Sequence, residues 1–204
     1  MDVIPTILEK SFDEAEEKIQ LVKDKVHWIQ IDVMDGVFCF GKTFELELIK
    51  KIEFDVEDKS FEIHLMVKDP VKWINKCNFV GAARILGQVE MMDDRKNFVK
   101  KAKDLNMEVG LAIDIGTEIG EIPTEVDMVL LMGRKAGFEQ GELDERIWKR
   151  IEQIKKMGLR VGIDGGVNRE NIEKLKRAGV DVVYCGSAIF DGNVEENLEK
   201  LKMK

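Results

Sequence analysis

The chain has 204 residues, 44% hydrophobic and 35% charged, with a net charge of −8. That balance describes a globular protein with a substantial core, not a disordered one. Acidic and basic residues are interleaved without a basic block, which argues against a nucleic-acid partner. No apolar run approaches the roughly 20 residues of a membrane span, so no membrane partner is expected either.

The pattern alternates between strand-type and helix-type periodicity along the whole chain. A first strand is predicted over Val3 to Leu8, and Ser11-Phe12-Asp13-Glu14 forms a capping box opening a helix that runs to about Asp24. Strand two, His27 to Met34, carries Gln30, Asp32 and Met34 on one face and Ile31 and Val33 on the other before breaking at Asp35-Gly36. A glycine-containing loop, Val37 to Thr43, precedes a short helix near Glu45 to Ile52. Strand three is Phe61 to Val67, and Asp69-Pro70 supplies an N-cap and a first-turn proline for the next helix. Strand four, about Ala83 to Val89, leads to a charged helix from Asp93 to Leu105. Strand five is Val109 to Asp114, followed by a short helical stretch before Pro123. Strand six, Asp127 to Met132, leads through a glycine-rich loop to a helix over Asp144 to Met157. Strand seven is Arg160 to Asp164, Gly165-Gly166 a turn, and Asn168 opens a helix closed by Gly179. Strand eight is Val180 to Tyr184, Gly186-Ser187 a turn, and Asn193 opens the final helix.

Eight strand–helix units of about 25 residues each predict one closed (β/α)8 barrel, the TIM-barrel class, over residues 1–204. An open doubly wound sheet is the alternative, disfavoured because no strand is followed by a G-x-G-x-x-G fingerprint. The N-terminus has no signal-peptide pattern. Cys39, Cys77 and Cys185 are far apart and form no C-x-x-C, so they read as buried small hydrophobes in a reduced, cytoplasmic setting. His27 and His64 are the only histidines, which excludes a His-rich metal site.

In such a barrel the reacting groups sit at the carboxyl ends of the strands. Polar residues there are Asp32, His64, Glu90, Asp114 and Asp164, with Met34, Met66 and Met132 at comparable heights. Asp32 and Asp164 come from strands two and seven, on different sides of the mouth. Two carboxylates on opposite sides of a substrate can remove a proton from one face and return one to the other, which inverts a stereocentre. Each aspartate could instead cap the helix that follows it. Gly165, Gly166, Gly186 and Ser187 precede two helices, and glycines let backbone N–H groups approach a phosphate after strands seven and eight.

Four blocks together make the chain resemble the ribulose-phosphate 3-epimerase family over nearly its full length: Ile31-Asp32-Val33-Met34-Asp35-Gly36, His64-Leu65-Met66-Val67, Ile163-Asp164-Gly165-Gly166-Val167-Asn168 and Gly186-Ser187-Ala188-Ile189-Phe190. The resemblance implies a (β/α)8 barrel that interconverts ribulose 5-phosphate and xylulose 5-phosphate through an enediolate. It implies Asp32 and Asp164 as the acid/base pair, and a divalent metal ion held by Asp32, His64 and Asp164. It further implies methionines Met34, Met66 and Met132 against the intermediate, Gly165, Gly166, Gly186 and Ser187 at the phosphate, and a protein that self-associates as a homo-oligomer.

The chain departs from the family where a fourth ligand, a histidine, is expected: Gln30 stands there. His27 lies three residues away and alternates to the other face. A glutamine carbonyl can ligate, but more weakly than imidazole for Zn2+ or Fe2+. Glu9 replaces a serine after strand one, where it could serve as an oxygen ligand favouring Mn2+ or Mg2+, or could repel an anionic substrate. Gln88 replaces a histidine, and Asp114-Ile115 stands in place of Asn-Pro. The loop Val37 to Thr43 lacks the family's Phe-Val-Pro-Asn. Arg134-Lys135-Ala136-Gly137-Phe138 replaces a substrate-covering loop with Pro-Gly-Phe; Gly137 keeps its place. Arg134 and Lys135 either add positive charge near the phosphate or form a solvated loop tip. Two other readings fit the altered rim. One is an epimerase for another ketose phosphate such as allulose 6-phosphate, and the other a phosphosugar-binding barrel without turnover.

Overall fold

In the computed structural model, which describes residues 1–52, 60–137 and 141–202, eight parallel strands close into a barrel in chain order. The strands are β1 Asp2–Ile7, β2 Trp28–Met34, β3 Ser60–Met66, β4 Arg84–Gln88, β5 Glu108–Ile113, β6 Met128–Met132, β7 Arg160–Asp164 and β8 Val182–Cys185. Strand alternation divides their side chains between two apolar regions. Ile31, Val33, Ile63, Leu65, Leu111 and Ile163 point outward against Ile19, Phe98, Ile151 and Leu198 of the surrounding helices. Ile4, Met34, Met66, Leu86, Met128, Leu130, Met132, Val182 and Tyr184 point inward and fill the barrel. This is the packing expected when one face of each strand meets helices and the other meets its own barrel partners.

The helices are α1 Phe12–Val22, α2 Ile74–Phe79, α3 Arg95–Asp104, α4 Ile147–Lys156, α5 Ile172–Arg177, α6 Ser187–Phe190 and α7 Val194–Lys202. The Ser11 hydroxyl accepts from the Glu14 N–H at the start of α1, as its motif requires, and Asn193 accepts from the Glu196 N–H at the start of α7. Several expectations are corrected. Asp69 has a left-handed backbone (φ 52°) and no side-chain cap bond, and Pro70–Trp73 forms a 3-10 turn before α2. Asp69 instead pairs with Lys72. The segment near Glu45 is also 3-10, Leu46–Lys51. No helix forms between β5 and β6; Arg150 of α4 binds the carbonyls of Asp114, Ile115 and Thr117 there and so consumes acceptors that a helix would use. Asn168 turns the chain with its own side chain, accepting from the Glu170 and Asn171 N–H groups, so α5 begins only at Ile172. Ser187 begins a short helix, not merely a turn.

At the amino-terminal end of the barrel, one buried polar network interrupts the apolar filling. Arg84 donates to Glu62 Oε2 at 2.7 Å and to Glu108 Oε2 at 2.8 Å. Tyr184 Oη donates to the same Glu62 oxygen at 3.1 Å, and the Arg84 guanidinium lies 4.1 Å from the Trp28 ring centre.

Candidate active site

At the carboxyl ends of β2, β3 and β7, the inward positions converge on one polar cluster. Parallel register sets Asp32 beside His64 and Thr6 beside Gln30. Strands β2 and β7 are separated only by β8 and β1. The two strands thus stand three steps apart among the eight, on different sides of the mouth, and their inward side chains Asp32 and Asp164 reach the same Gln30 amide nitrogen between them. His64 Nδ1 lies 3.0 Å from Asp32 Oδ1 and 3.6 Å from Asp164 Oδ2. Thr6 Oγ1 donates to Asp32 Oδ2 at 2.9 Å. Neither aspartate acts as a helix cap.

The electrostatics follow from burial. Desolvation raises the Asp32 pKa, and the nearby Asp164 charge adds to it, against the lowering hydrogen bonds from His64 and Thr6. Burial alone would lower the pKa of His64. Its hydrogen bonds and charge attraction to Asp164 and Asp32 outweigh that and push it up to about 9. Gln88 satisfies its neighbours with its amide oxygen toward His64 Nε2 (3.3 Å) and its nitrogen toward Ala112 O (3.1 Å) and Glu90 Oε2 (2.7 Å). That contact assigns a proton to Nε2 and turns Nδ1 toward the two carboxylates. Thr6 and the positioning contact of Gln88 were missed from sequence. The signal was available for Thr6, which alternates inward at the end of β1 in register with Gln30.

Asp32, His64 and Asp164 each offer a ligand atom, all within 4.8 Å of one another and all buried. This mixed nitrogen and carboxylate set fits a divalent ion. Gln30 does not complete it. Its amide nitrogen, not its oxygen, faces the cluster, 2.8 Å from Asp164 Oδ2, 3.2 Å from Asp32 Oδ1 and 2.9 Å from Thr6 Oγ1. Its carbonyl oxygen is buried with no hydrogen-bond partner among the described residues. Glu9 does not join the set either, because its carboxylate pairs with Lys18. Glu90 accepts from the Asp114 N–H, and Asp114 accepts from the Ile115 and Ala136 N–H groups, so both hold loops together.

The cluster opens into a cavity of about 900 Å³ lined by Asp32, Asp164, Met66, Met132, Glu9 and Gly137, and by Gly165, Gly166, Gly186 and Ser187. Met34 lines a smaller recess that shares Leu8 and Glu9 with it. Arg134, Lys135 and Arg169 also line the main cavity and bring positive charge to the mouth of an acidic chain. Phe138, the last residue of the altered loop, lies outside the described residues. Gly165 and Gly166 both have positive φ, 93° and 77°, and a Cβ on Gly166 would come within 2.7 Å of the Leu143 backbone nitrogen. Gly166→Ala is therefore expected to lower stability by more than about 2 kcal/mol. Urea denaturation measures this, and a loss under about 0.5 kcal/mol, within the scatter of surface substitutions, would contradict it.

A closed barrel with paired carboxylates and two glycine turns around one deep cavity defines a (β/α)8-barrel enzyme. Comparison with known proteins narrows the class. The sequence pattern of the ribulose-phosphate 3 epimerase family matches residues 2–190, so the chain belongs to that family, and its curated relatives carry the name ribulose-phosphate 3-epimerase, an enzyme of the isomerase class. It is 31% identical over 209 residues to the ribulose-phosphate 3-epimerase of Aquifex aeolicus, covering 97% of this chain and 94% of that protein. It is 28% identical over 187 residues to the enzyme of the same name from Encephalitozoon cuniculi, covering 91% and 85%. Among solved structures, KGPDC from Streptococcus mutans in complex with D-R5P is similar in fold, with a TM-score of 0.76 at 14% identity, covering 99% and 95% of the two chains. A 3-hexulose-6-phosphate synthase is similar at a TM-score of 0.72 and 18% identity, covering 100% and 99%.

Proposed function

We propose that the chain epimerises a ketose phosphate at C3, interconverting ribulose 5-phosphate and xylulose 5-phosphate by proton transfer through an enediolate. The observation that carries this reading is the convergence of Asp32 and Asp164, from strands two and seven, on one histidine at the floor of a glycine-lined cavity. One carboxylate takes the C3 proton and the other returns a proton to the opposite face of the planar intermediate. Burial raises the proton affinity of Asp32, which suits a base that must hold a proton during turnover. Gly165, Gly166, Gly186 and Ser187 would receive the phosphate, with Arg134, Lys135 and Arg169 offsetting the chain's negative charge. Met66 and Met132, with Met34 in the adjoining recess, would present an apolar, adaptable wall to the flat intermediate.

A divalent ion (Zn2+, Fe2+, Mn2+ or Mg2+) held by Asp32, His64 and Asp164 would supply Lewis-acid stabilisation of negative charge on the substrate oxygens. The size of the cavity favours one second reading, a longer ketose phosphate such as allulose 6-phosphate with the same acid/base pair. A panel of five- and six-carbon substrates separates the two. The primary test is incubation with ribulose 5-phosphate in deuterated water. Deuterium is expected at C3, and none with any of the four ions would sink the proposal.

A further inference from the structure

We propose that Gln30 competes with the divalent ion instead of ligating it, so that the ion binds weakly and exchangeably. This rests on reading Asp32, His64 and Asp164 as the ion's ligands. The amide nitrogen of Gln30 lies 2.8 Å from Asp164 Oδ2 and 3.2 Å from Asp32 Oδ1. Those are the same two oxygens that approach His64 Nδ1, at 3.6 and 3.0 Å. An ion drawn to the three ligands must take oxygens already engaged by an N–H donor, and hydrogen bonds to charged acceptors are among the stronger ones.

Turning the amide over to present its oxygen does not solve the conflict. The carbonyl oxygen now occupies a buried position with no partner among the described residues. An NH2 group placed there would leave its hydrogens unsatisfied, which costs more than leaving a carbonyl bare. Thr6 reinforces the present orientation. Its hydroxyl hydrogen is committed to Asp32 Oδ2, so toward Gln30 it presents a lone pair, which accepts from the amide nitrogen and would repel an amide oxygen. The side chain thus acts as a placeholder. It holds the two carboxylates together when no ion is bound and yields when one arrives.

The test measures ion affinity, not turnover. Mn2+ and Zn2+ are titrated by competition with a chelating dye into the wild type, Gln30→Met, Gln30→His and Asp164→Asn. Methionine matches glutamine in length and removes both donors, so Gln30→Met is expected to bind at least about tenfold more tightly. Gln30→His should be tighter still, and Asp164→Asn should lose binding. Equal or weaker binding by Gln30→Met, with wild-type binding still dependent on Asp164, overturns the competition alone. No Asp164-dependent binding in any of the proteins overturns both the competition and the ligand assignment. If Gln30→Met does not fold by circular dichroism, the wild type decides. Side-chain NH2 protons of Gln30 should exchange slowly in the ion-free protein and faster once Zn2+ saturates it. Unchanged protection would refute the competition.

Discussion

Asp164→Asn is expected to lower epimerisation of ribulose 5-phosphate by about 10³- to 10⁴-fold, the range for loss of a positioned proton-transfer group plus its share of charge stabilisation. Asparagine keeps the shape and cannot take the proton. The barrel should remain folded, because asparagine keeps an oxygen that can accept from Gln30, and the relief of repulsion with Asp32 offsets the attraction to His64 that is lost. A thermal midpoint close to the wild type, with turnover lost, separates a chemical role from a structural one. Asp32→Asn should behave similarly, and comparing the variants tests the two-base reading directly. Each retains a carboxylate on one face of C3. Exchange of the C3 proton with solvent from one epimer should therefore fall less than net epimerisation, and the favoured epimer should switch between the variants. Retention of more than about a tenth of wild-type turnover by either variant would be incompatible with direct proton transfer by that residue.

The largest effect on stability is expected at the other end of the barrel. Arg84→Met should destabilise the protein by about 3–5 kcal/mol, the usual result of removing one partner from a buried ion pair. Glu62 is fully buried, and the Arg84 guanidinium pairs with it directly at 2.7 Å. Burial pushes the Glu62 pKa up, and Arg84 and Tyr184 oppose that rise. Without Arg84 the carboxylate must either stay charged in an apolar layer or take up a proton on folding. The double variant Glu62→Met with Arg84→Met should recover most of the loss, since a well-packed apolar pair can replace a buried ion pair at little net change. Urea denaturation of the four proteins forms a complete cycle. A single variant within 1 kcal/mol of the wild type, the accuracy expected of a surface site, would show that Glu62 is not charged in the native state.

Much of this was legible in sequence because alternation leaves a clear mark. Strand two already showed Gln30, Asp32 and Met34 on one face, and a closed barrel turns that face inward. The strand ends also named His64 and Asp164. What the sequence could not show was depth and distance. Asp32 and Asp164 stand on strands on different sides of the mouth, yet their inward side chains reach a single amide nitrogen, a distance that alternation alone does not give. Glu9, a plausible ligand by position, is held by Lys18 nine residues further along, on α1. Asp69 carries the residue type of a cap and lacks the backbone angle. The Arg84–Glu62–Tyr184 network left no local signal, because its members lie on three strands far apart in the chain. Ligand orientation was hidden altogether: a glutamine at position 30 does not reveal which end of its amide meets the carboxylates.

The glycines after β6 have a mechanical consequence. A Cβ on Gly133 would stand 2.2 Å from the Gly165 carbonyl oxygen, and one on Gly137 would stand 2.5 Å from Cys39 Cβ. The Arg134 stem lies against Gly165, and Leu143 lies against Gly166. One segment thus bears on the turns assigned to the phosphate at one end and on the loop after β2 at the other. On the proposed reading, an anion seated at Gly165 and Gly166 would press on residues close in the chain to those that touch Cys39, in the loop that follows the strand carrying Asp32. In the proposed reaction, a sugar stripped of its phosphate should therefore be slow even at saturation, not merely weakly held.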